Sequence, residues 1–305
     1  MTKWDKEYLK LCKKILDEGI EVENRTGTNS IKIDGYYLEF DLEKEFPVLT
    51  TKQLYFKNAI LEILWIYQAQ SNDVRWLQER KVKIWDEWEI ADDGKWRATQ
   101  MVPDEKDGLI KKEIIKDFGI DNAHTIGTAY GFIADRYKLM ENLVKTIRMN
   151  PTDRRMVKSL WQDEFMPTAV LPSCVWSTEW NVLNGKINFW VHQRSCDVPL
   201  GLPFNVTQYA TLGNMIAHVT GYKPGIMRWS LNDPHIYVDQ VEGIKEQIKR
   251  GEELEDLPAP ELWLNPDIKE FEDFDNSRDL NDIKVLKYKH HGPIKFRISQ
   301  WKIWV

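Results

Sequence analysis

From Trp4 to Leu16 the apolar residues Trp4, Tyr8, Leu9, Leu11, Cys12, Ile15 and Leu16 recur at helical spacing, a stripe that packs one face of a helix on a sheet and makes Cys12 a core residue. A second helix is expected over 52–70, with Leu54, Ala59, Ile60, Ile63, Leu64 and Tyr67 available for burial and Glu62 among them. Two more follow. One runs from Leu139 to Met149 and stops before Asn150-Pro151; the other runs from Asn205 to Gly221 with Tyr209, Leu212, Ile216 and Val219 inward. Asp233-Pro234 reads as the N-cap and first-turn proline of a further helix.

Between these the period drops to two. Residues 31–42 alternate in part, and the β-branched and aromatic runs 175–182 and 186–191 flank Leu183-Asn184-Gly185, the signature of a β-hairpin. Residues 89–122 are charged and irregular, punctuated by Asp92-Asp93-Gly94 and by the turn signals of 104–108, and read as a surface insertion. Residues 252–305 carry prolines, acids and short apolar runs suited to closing strands. With no repeat or linker, the expectation is a single domain over 1–305, α/β (α+β), built on a large mixed β-sheet flanked by helices.

The 305 residues are 42% hydrophobic and 12% aromatic, which supports a substantial core and argues against disorder. A net charge of −6 on a surface mixed in sign excludes a general nucleic-acid footprint, so any bound phosphate must be held by a local arginine cluster. Cys12, Cys174 and Cys196 have neither the number nor the spacing of a disulfide framework or a zinc site, so no metal is expected and a reducing compartment is. The start, Met-Thr-Lys-Trp-Asp, has no apolar signal core, and no run approaches a membrane span. A cytoplasmic protein with no membrane partner, from a bacterium or a phage-infected cell, is expected.

Candidate chemistry collects between Leu171 and Tyr237. If the hairpin forms, its far ends bring Cys174 beside Gln193-Arg194-Ser195-Cys196-Asp197. A guanidinium near a thiol favours the nucleophilic thiolate. A lone cysteine is otherwise a small core residue, and the polar run opposite is what sets Cys174 apart. Glu62, inside an apolar stretch, is either buried with partners and a raised pKa, useful for proton transfer, or turned outward between core positions; periodicity leaves both open.

The segments PSC at 172–174, QRSCDVPLGLPFN at 193–205 and DPHIY at 233–237 resemble the active-site core of the thymidylate synthase family. The resemblance continues through Arg25-Thr26-Gly27-Thr28, FPVLTTKQ at 46–53, EILWIYQAQSND at 62–73, IWDEW at 84–88, AYGF at 129–132, DRR at 153–155 and PELWLNP at 260–266, in family order over nearly the whole chain. It implies one-carbon transfer from 5,10-methylenetetrahydrofolate to C5 of dUMP. Cys174 is then the nucleophile, Glu62 organises water and protons around the pyrimidine, Tyr130 meets the proton-transfer water, and Asn205 reads the base. Arg25, Arg194 and Ser195, together with Gln193, hold the nucleotide. His235 and Tyr237 hold the sugar 3′-hydroxyl, Asp197 meets substrate and pterin, and Trp85 and Leu171 face the folate rings. Arg154 and Arg155 are implied to cross a twofold axis to the other subunit's phosphate, which makes the protein a homodimer.

The chain also departs from that pattern. Ser173 stands where proline usually precedes the nucleophile, Val175 where many members have histidine, Gln162 where asparagine follows a tryptophan, and Asn232 where the sugar-binding turn has glycine. Synthases end in a short apolar segment that closes over the folate, whereas this chain ends ISQWKIWV. A dUMP hydroxymethylase, which adds water in place of hydride, therefore stays open as an alternative, as does a catalytically idle nucleotide- or RNA-binding relative.

Overall fold

The computed structural model describes residues 1–104 and 108–296, so the tail ISQWKIWV and its proposed closing role lie outside the described residues. A five-stranded sheet has the order β3 (Tyr36–Asp41), β10 (Lys223–Leu231), β8 (Lys186–Gln193), β7 (Val175–Leu183), β6 (Val157–Ser159). β10 and β8 run parallel and the other pairs antiparallel, so the sheet is mixed, as expected. The predicted hairpin is β7–β8, closed by Asn184 and Gly185 at φ +52° and +71°, the left-handed pair that a two-residue turn requires. A four-stranded sheet, β1 (Ile20–Val22), β2 (Ser30–Lys32), β11 (Pro234–Tyr237), β9 (Cys196–Asp197), lies beside it in the fold.

Helices cover one face. α1 (Lys3–Glu18) is capped by the Thr2 hydroxyl, which accepts from the Asp5 N–H, and buries Trp4, Tyr8, Leu11, Cys12 and Ile15 as its stripe predicts. α2 spans Phe56–Tyr67, shorter than expected, because the Gln53 N–H donates to the Gly292 carbonyl at 2.9 Å and the Leu54 N–H to the Tyr288 hydroxyl at 2.8 Å, which holds the approach in a non-helical form. α3 (Arg75–Glu79), α4 (Gly131–Arg136) and α5 (Leu139–Met149) follow, the last with the predicted bounds. α6 (Gly201–Thr220) starts four residues early, with Pro203 in the first turn where its missing N–H costs nothing. It is buried almost all round; at Gly213 a Cβ would stand 2.4 Å from Phe189, so only glycine lets the helix lie so close to β8.

Two expectations fail. Asp233-Pro234 opens no helix: Pro234–Tyr237 is β11, paired antiparallel with β2 and parallel with β9. Proline is as acceptable at the first residue of a strand as at the first turn of a helix, and two flanking strands decide the matter; the helix α7 (Val241–Glu253) comes later. Residues 89–122 are not irregular either. They hold a ten-rung antiparallel hairpin, β4 (Lys95–Asp104) and β5 (Gly108–Asp117); in β5 the consecutive Lys111, Lys112 and Glu113 are all exposed, so no period of two marks the strand in the sequence. A short pair, β12 (Glu261–Leu264) and β13 (Ile283–Leu286), supplies the closing strands.

Among the described residues no helix covers the outer face of the five-stranded sheet. Tyr37, Trp190, His192 and Trp176 form a row of neighbouring rings across it, with centroids 5.6–6.3 Å apart, and Tyr37, Val157 and Trp176 are exposed. Among the described residues no helix is long and apolar enough to cross a membrane.

Candidate active site

Both sheets end at one cavity. Glu62 from α2, Tyr130 at the head of α4, Cys174 before β7, Gln193 at the end of β8, Ser195 and Asp197 around β9, and Asn205 on α6 line it, with Trp85 and Leu171 as apolar walls. Ile84 and Phe204 complete the walls; as ordinary apolar residues they carry no signal in the sequence.

The β7–β8 ladder sets the nucleophile. Arg194 N–H donates to the Cys174 carbonyl at 2.9 Å, its Nε to the Ser173 carbonyl at 3.0 Å and its Nη2 to the Pro172 carbonyl at 2.7 Å, which leaves Nη2 3.9 Å from Cys174 Sγ. The Trp161 ring lies 5.5 Å from the guanidinium, a stacking partner that the sequence reading missed. Tyr130 sits at φ +46°, a conformation uncommon outside glycine, and its hydroxyl accepts from the Cys174 N–H at 3.0 Å. The expectation of a stabilised thiolate is not met in the free protein. Burial raises the Cys174 pKa, Arg194 and Arg25 lower it, and burial prevails, so the thiol is held above its ordinary range.

Glu62 is buried, which settles the choice left open by periodicity. Trp85 Nε1 donates to Oε1 at 2.8 Å and Gln208 Nε2 to Oε2 at 2.6 Å. Desolvation outweighs both donors and lifts its pKa to about 7, where a carboxyl can both give and take a proton near neutral pH. Gln208 in turn accepts from Asn205 Nδ2 at 2.9 Å; Asn205 Oδ1 accepts from Gln193 Nε2 at 3.2 Å, and Gln193 Oε1 from Trp229 Nε1 at 3.0 Å. The sequence reading missed Gln208 and Trp229. Gln208 could have been found, since it lies one turn beyond Asn205 on a predicted helix and so on the same face.

Asp197 accepts from Leu200 N–H at 3.1 Å and from Gln240, and burial holds its pKa above the ordinary range despite His235 nearby. Lys52, also missed, is buried with its ammonium on the Pro199 carbonyl and 4.7 Å from the Phe296 ring centroid; burial lowers its pKa to about 8. His235 and Tyr237 meet edge to face at 5.2 Å on β11, whose register against β2 and β9 brings them between the loop of Arg25 and Asp197.

Of the remaining arginines, Arg25 reaches Cys174 and Tyr237 by charge alone, and Arg154 and Arg155 stand apart. Arg25 is exposed on the β1–β2 loop, shaped by Asn24, whose Oδ1 accepts from the Thr26 N–H at 2.9 Å. Its carbonyl accepts from the Met101 N–H of β4 at 2.8 Å, so the hairpin at 95–117 touches this loop. Arg155 is spread out in solvent and forked onto Asp153 by two bonds of 2.9 Å. Arg154 lines a groove with Glu179, Asn181 and Trp190 at the outer sheet face, not the cavity of Cys174.

A thiol beside a fixed cation, a buried carboxyl placed near neutrality and a rank of oriented amides are equipment for nucleophilic catalysis with proton transfer on a polar substrate. The family model for thymidylate synthase matches residues 6–300. Thymidylate synthase of Clostridium beijerinckii is 40% identical over 98% of this chain and 100% of its own length, and that of Bacillus phage phi3T is 33% identical over the same shares. The solved thermostable thymidylate synthase A from Bacillus subtilis is 33% identical, covers 97% of this chain and 99% of its own, and superposes with a TM-score of 0.80. The chain belongs to the thymidylate synthase family.

Proposed function

We propose that this chain is a thymidylate synthase, a methyltransferase that makes dTMP and dihydrofolate from dUMP and 5,10-methylenetetrahydrofolate. The observation that carries the reading is the cavity in which Cys174 lies beside Arg194 and opposite the amides that end on Glu62. Cys174 adds as thiolate to C6 of the pyrimidine, and the electron pair moves to C5, which becomes the nucleophile. Methylenetetrahydrofolate supplies the one-carbon unit to C5 and then hydride to the exocyclic methylene, leaving as dihydrofolate. The C5 proton departs through water at Tyr130, and expulsion of Cys174 from C6 restores the ring. Glu62, poised near pH 7, exchanges protons with the pyrimidine O4 side through water.

Asn205 donates to O4 and accepts from N3–H. Arg194, Ser195 and Arg25 take the phosphate with Gln193 beside them, His235 and Tyr237 take the sugar hydroxyl, and Asp197 meets the pterin between Trp85 and Leu171. The apolar walls at Ile84, Trp85, Leu171 and Phe204 with one carboxyl among them suit a flat, polar-edged pterin. We further propose a homodimer closed over the outer sheet face, with Arg154 and Arg155 completing the partner's phosphate site. The exposed aromatic row and the position of Arg154 beside it support this arrangement. Three free thiols suit the cytoplasm.

The hydroxymethylase reading is not favoured, since the full-length relatives are named thymidylate synthases. The test is incubation with dUMP and isotope-labelled methylenetetrahydrofolate followed by mass analysis. The expected product is labelled dTMP with dihydrofolate; 5-hydroxymethyl-dUMP with tetrahydrofolate, or no product at all, would overturn the proposal.

A further inference from the structure

The amides between Trp229 and Glu62 have a direction that their chemistry forces. An indole N–H can only donate, so Trp229 at 3.0 Å compels Gln193 to turn its carbonyl oxygen toward it. The Gln193 NH2 then faces Asn205, whose oxygen must accept. The Asn205 NH2 is left for Gln208 Oε1, and the Gln208 NH2 for Glu62. The far end is closed by a second one-way donor, Trp85, on the other carboxyl oxygen of Glu62. Turning Asn205 over would set donor against donor at Gln193 and acceptor against acceptor at Gln208. Repairing that by turning Gln193 as well would bring its NH2 against the Trp229 N–H, which cannot accept.

We propose that Gln208 is a positioning residue that joins the base reader to the proton carrier. It holds the Asn205 amide in the one orientation that fits uracil and the Glu62 carboxyl where protons are exchanged. The inference rests on the reading of the site as one that binds dUMP. Uracil presents an acceptor at O4 and a donor at N3, whereas cytosine presents the reverse, so a locked amide rejects cytosine by leaving buried polar groups unpaired. Gln208 is itself buried, makes both bonds from one side chain, and sits three residues beyond Asn205 on α6, so helix geometry keeps the two in register.

The bond from Gln208 favours the charged form of Glu62, so its loss must move the carboxyl pKa upward from about 7. Other titratable groups that reach Glu62 are Tyr130, Tyr209 and Cys174, from the head of α4, from α6 and from the start of β7, and burial raises all three above their ordinary ranges. Among these groups Glu62 alone is placed near neutrality, and Lys52 and Asp197 make no bond to Gln208, so a limb that moves when Gln208 is changed reports Glu62.

Gln208→Met keeps the side-chain length and most of its volume while deleting both bonds. It should shift the neutral limb of the kcat profile to higher pH and reduce the preference for dUMP over dCMP by about tenfold, the scale of one buried hydrogen bond. Gln208→Glu keeps an acceptor for Asn205 but faces Glu62 with a second carboxyl, so it should move the limb and spare the preference. Wild-type protein run in parallel separates the two claims: no dTMP from wild type overturns the proposed function. With active wild type, an unmoved limb and an unmoved preference in Gln208→Met overturn this inference. Failure of both variants to fold, read by circular dichroism, would overturn it too, leaving Gln208 a purely structural residue.

Discussion

The two ends of the cavity are built in opposite ways. At the proposed pyrimidine end every one of the four polar groups is committed: Gln193, Gln208 and Glu62, all buried, and Asn205, half-buried, each hold at least one partner whose direction is fixed. At the proposed phosphate end only Arg194 is seated, by three carbonyls and a tryptophan, while Arg25 is exposed, Arg155 is spent on Asp153 and Arg154 faces another surface. The difference follows from what each end must recognise. Telling uracil from cytosine depends on which atom donates, so orientation must be fixed before binding, and only a buried network with one-way ends can fix it. A phosphate asks for charge, which acts over distance and accepts several geometries, so its ligands can be gathered late and from a second chain.

The largest expected effect lies at the committed end. Cys174→Ser should abolish dTMP formation, because a hydroxyl ionises far less readily than a thiol and is too poor a nucleophile, while dUMP still binds with affinity within a few-fold of wild type, since neither the base nor the phosphate contacts proposed use the sulfur. Calorimetry with dUMP and a turnover assay on the same preparation check both halves; undiminished turnover would sink the covalent mechanism. The raised pKa of Cys174 adds a sign: alkylation of the free enzyme should be slow at pH 7 and climb beyond pH 9 as the thiolate forms.

The next effect probes whether the phosphate end is shared. Arg155→Ala and Cys174→Ala proteins should each be nearly inactive. Mixed under conditions of verified subunit exchange, they form heterodimers in which one site carries both lesions and the other neither, so activity should return to about one quarter of wild type with random pairing. Exchange that restores nothing means that Arg155 serves its own subunit or that the copies meet on another face, and the asymmetry between the two ends would then need another cause.

How much of this was legible in the sequence divides along the same line. The hairpin that presents Cys174 and Arg194 announced itself through β-branched runs around Asn184-Gly185, a local signal that tertiary packing does not override. The residues that line the cavity carry the motif resemblance, while Arg154 of the same resemblance lines a different groove. The sense of the Cys174 pKa was not legible, because a sequence shows the neighbouring arginine but not the depth of burial that outweighs it. Pro234 was misread because helix starts and strand starts use the same proline, and only the partners β2 and β9 distinguish them. Gln208 went unnoticed because a lone glutamine among core residues has no chemistry until its neighbours are known.

The smallest effect concerns the hairpin β4–β5, which the sequence offered only as surface. Its Met101 N–H points out of the ladder to the Arg25 carbonyl at 2.8 Å, and its side chain lies against Gly27, whose φ of +80° marks the turn of the same loop. The hairpin thus restrains the one phosphate-end arginine that its own chain extends on a loop. Proline at an outward-facing N–H of a two-stranded ribbon removes that donor without taking a bond from the ladder, so Met101→Pro should leave the fold intact. Freed from the brace, the loop must be ordered on binding, and dUMP affinity should fall roughly three- to tenfold, the worth of one hydrogen bond. Met101→Ala, which keeps the N–H, should fall less. Deoxyuridine, which lacks the phosphate, should bind both variants as it binds wild type. If Met101→Pro binds dUMP unchanged, the loop takes its shape from Asn24 alone and the hairpin has no part in the phosphate end; if it weakens deoxyuridine equally, the hairpin acts on the whole cavity and the division between the two ends is not as sharp as the geometry makes it.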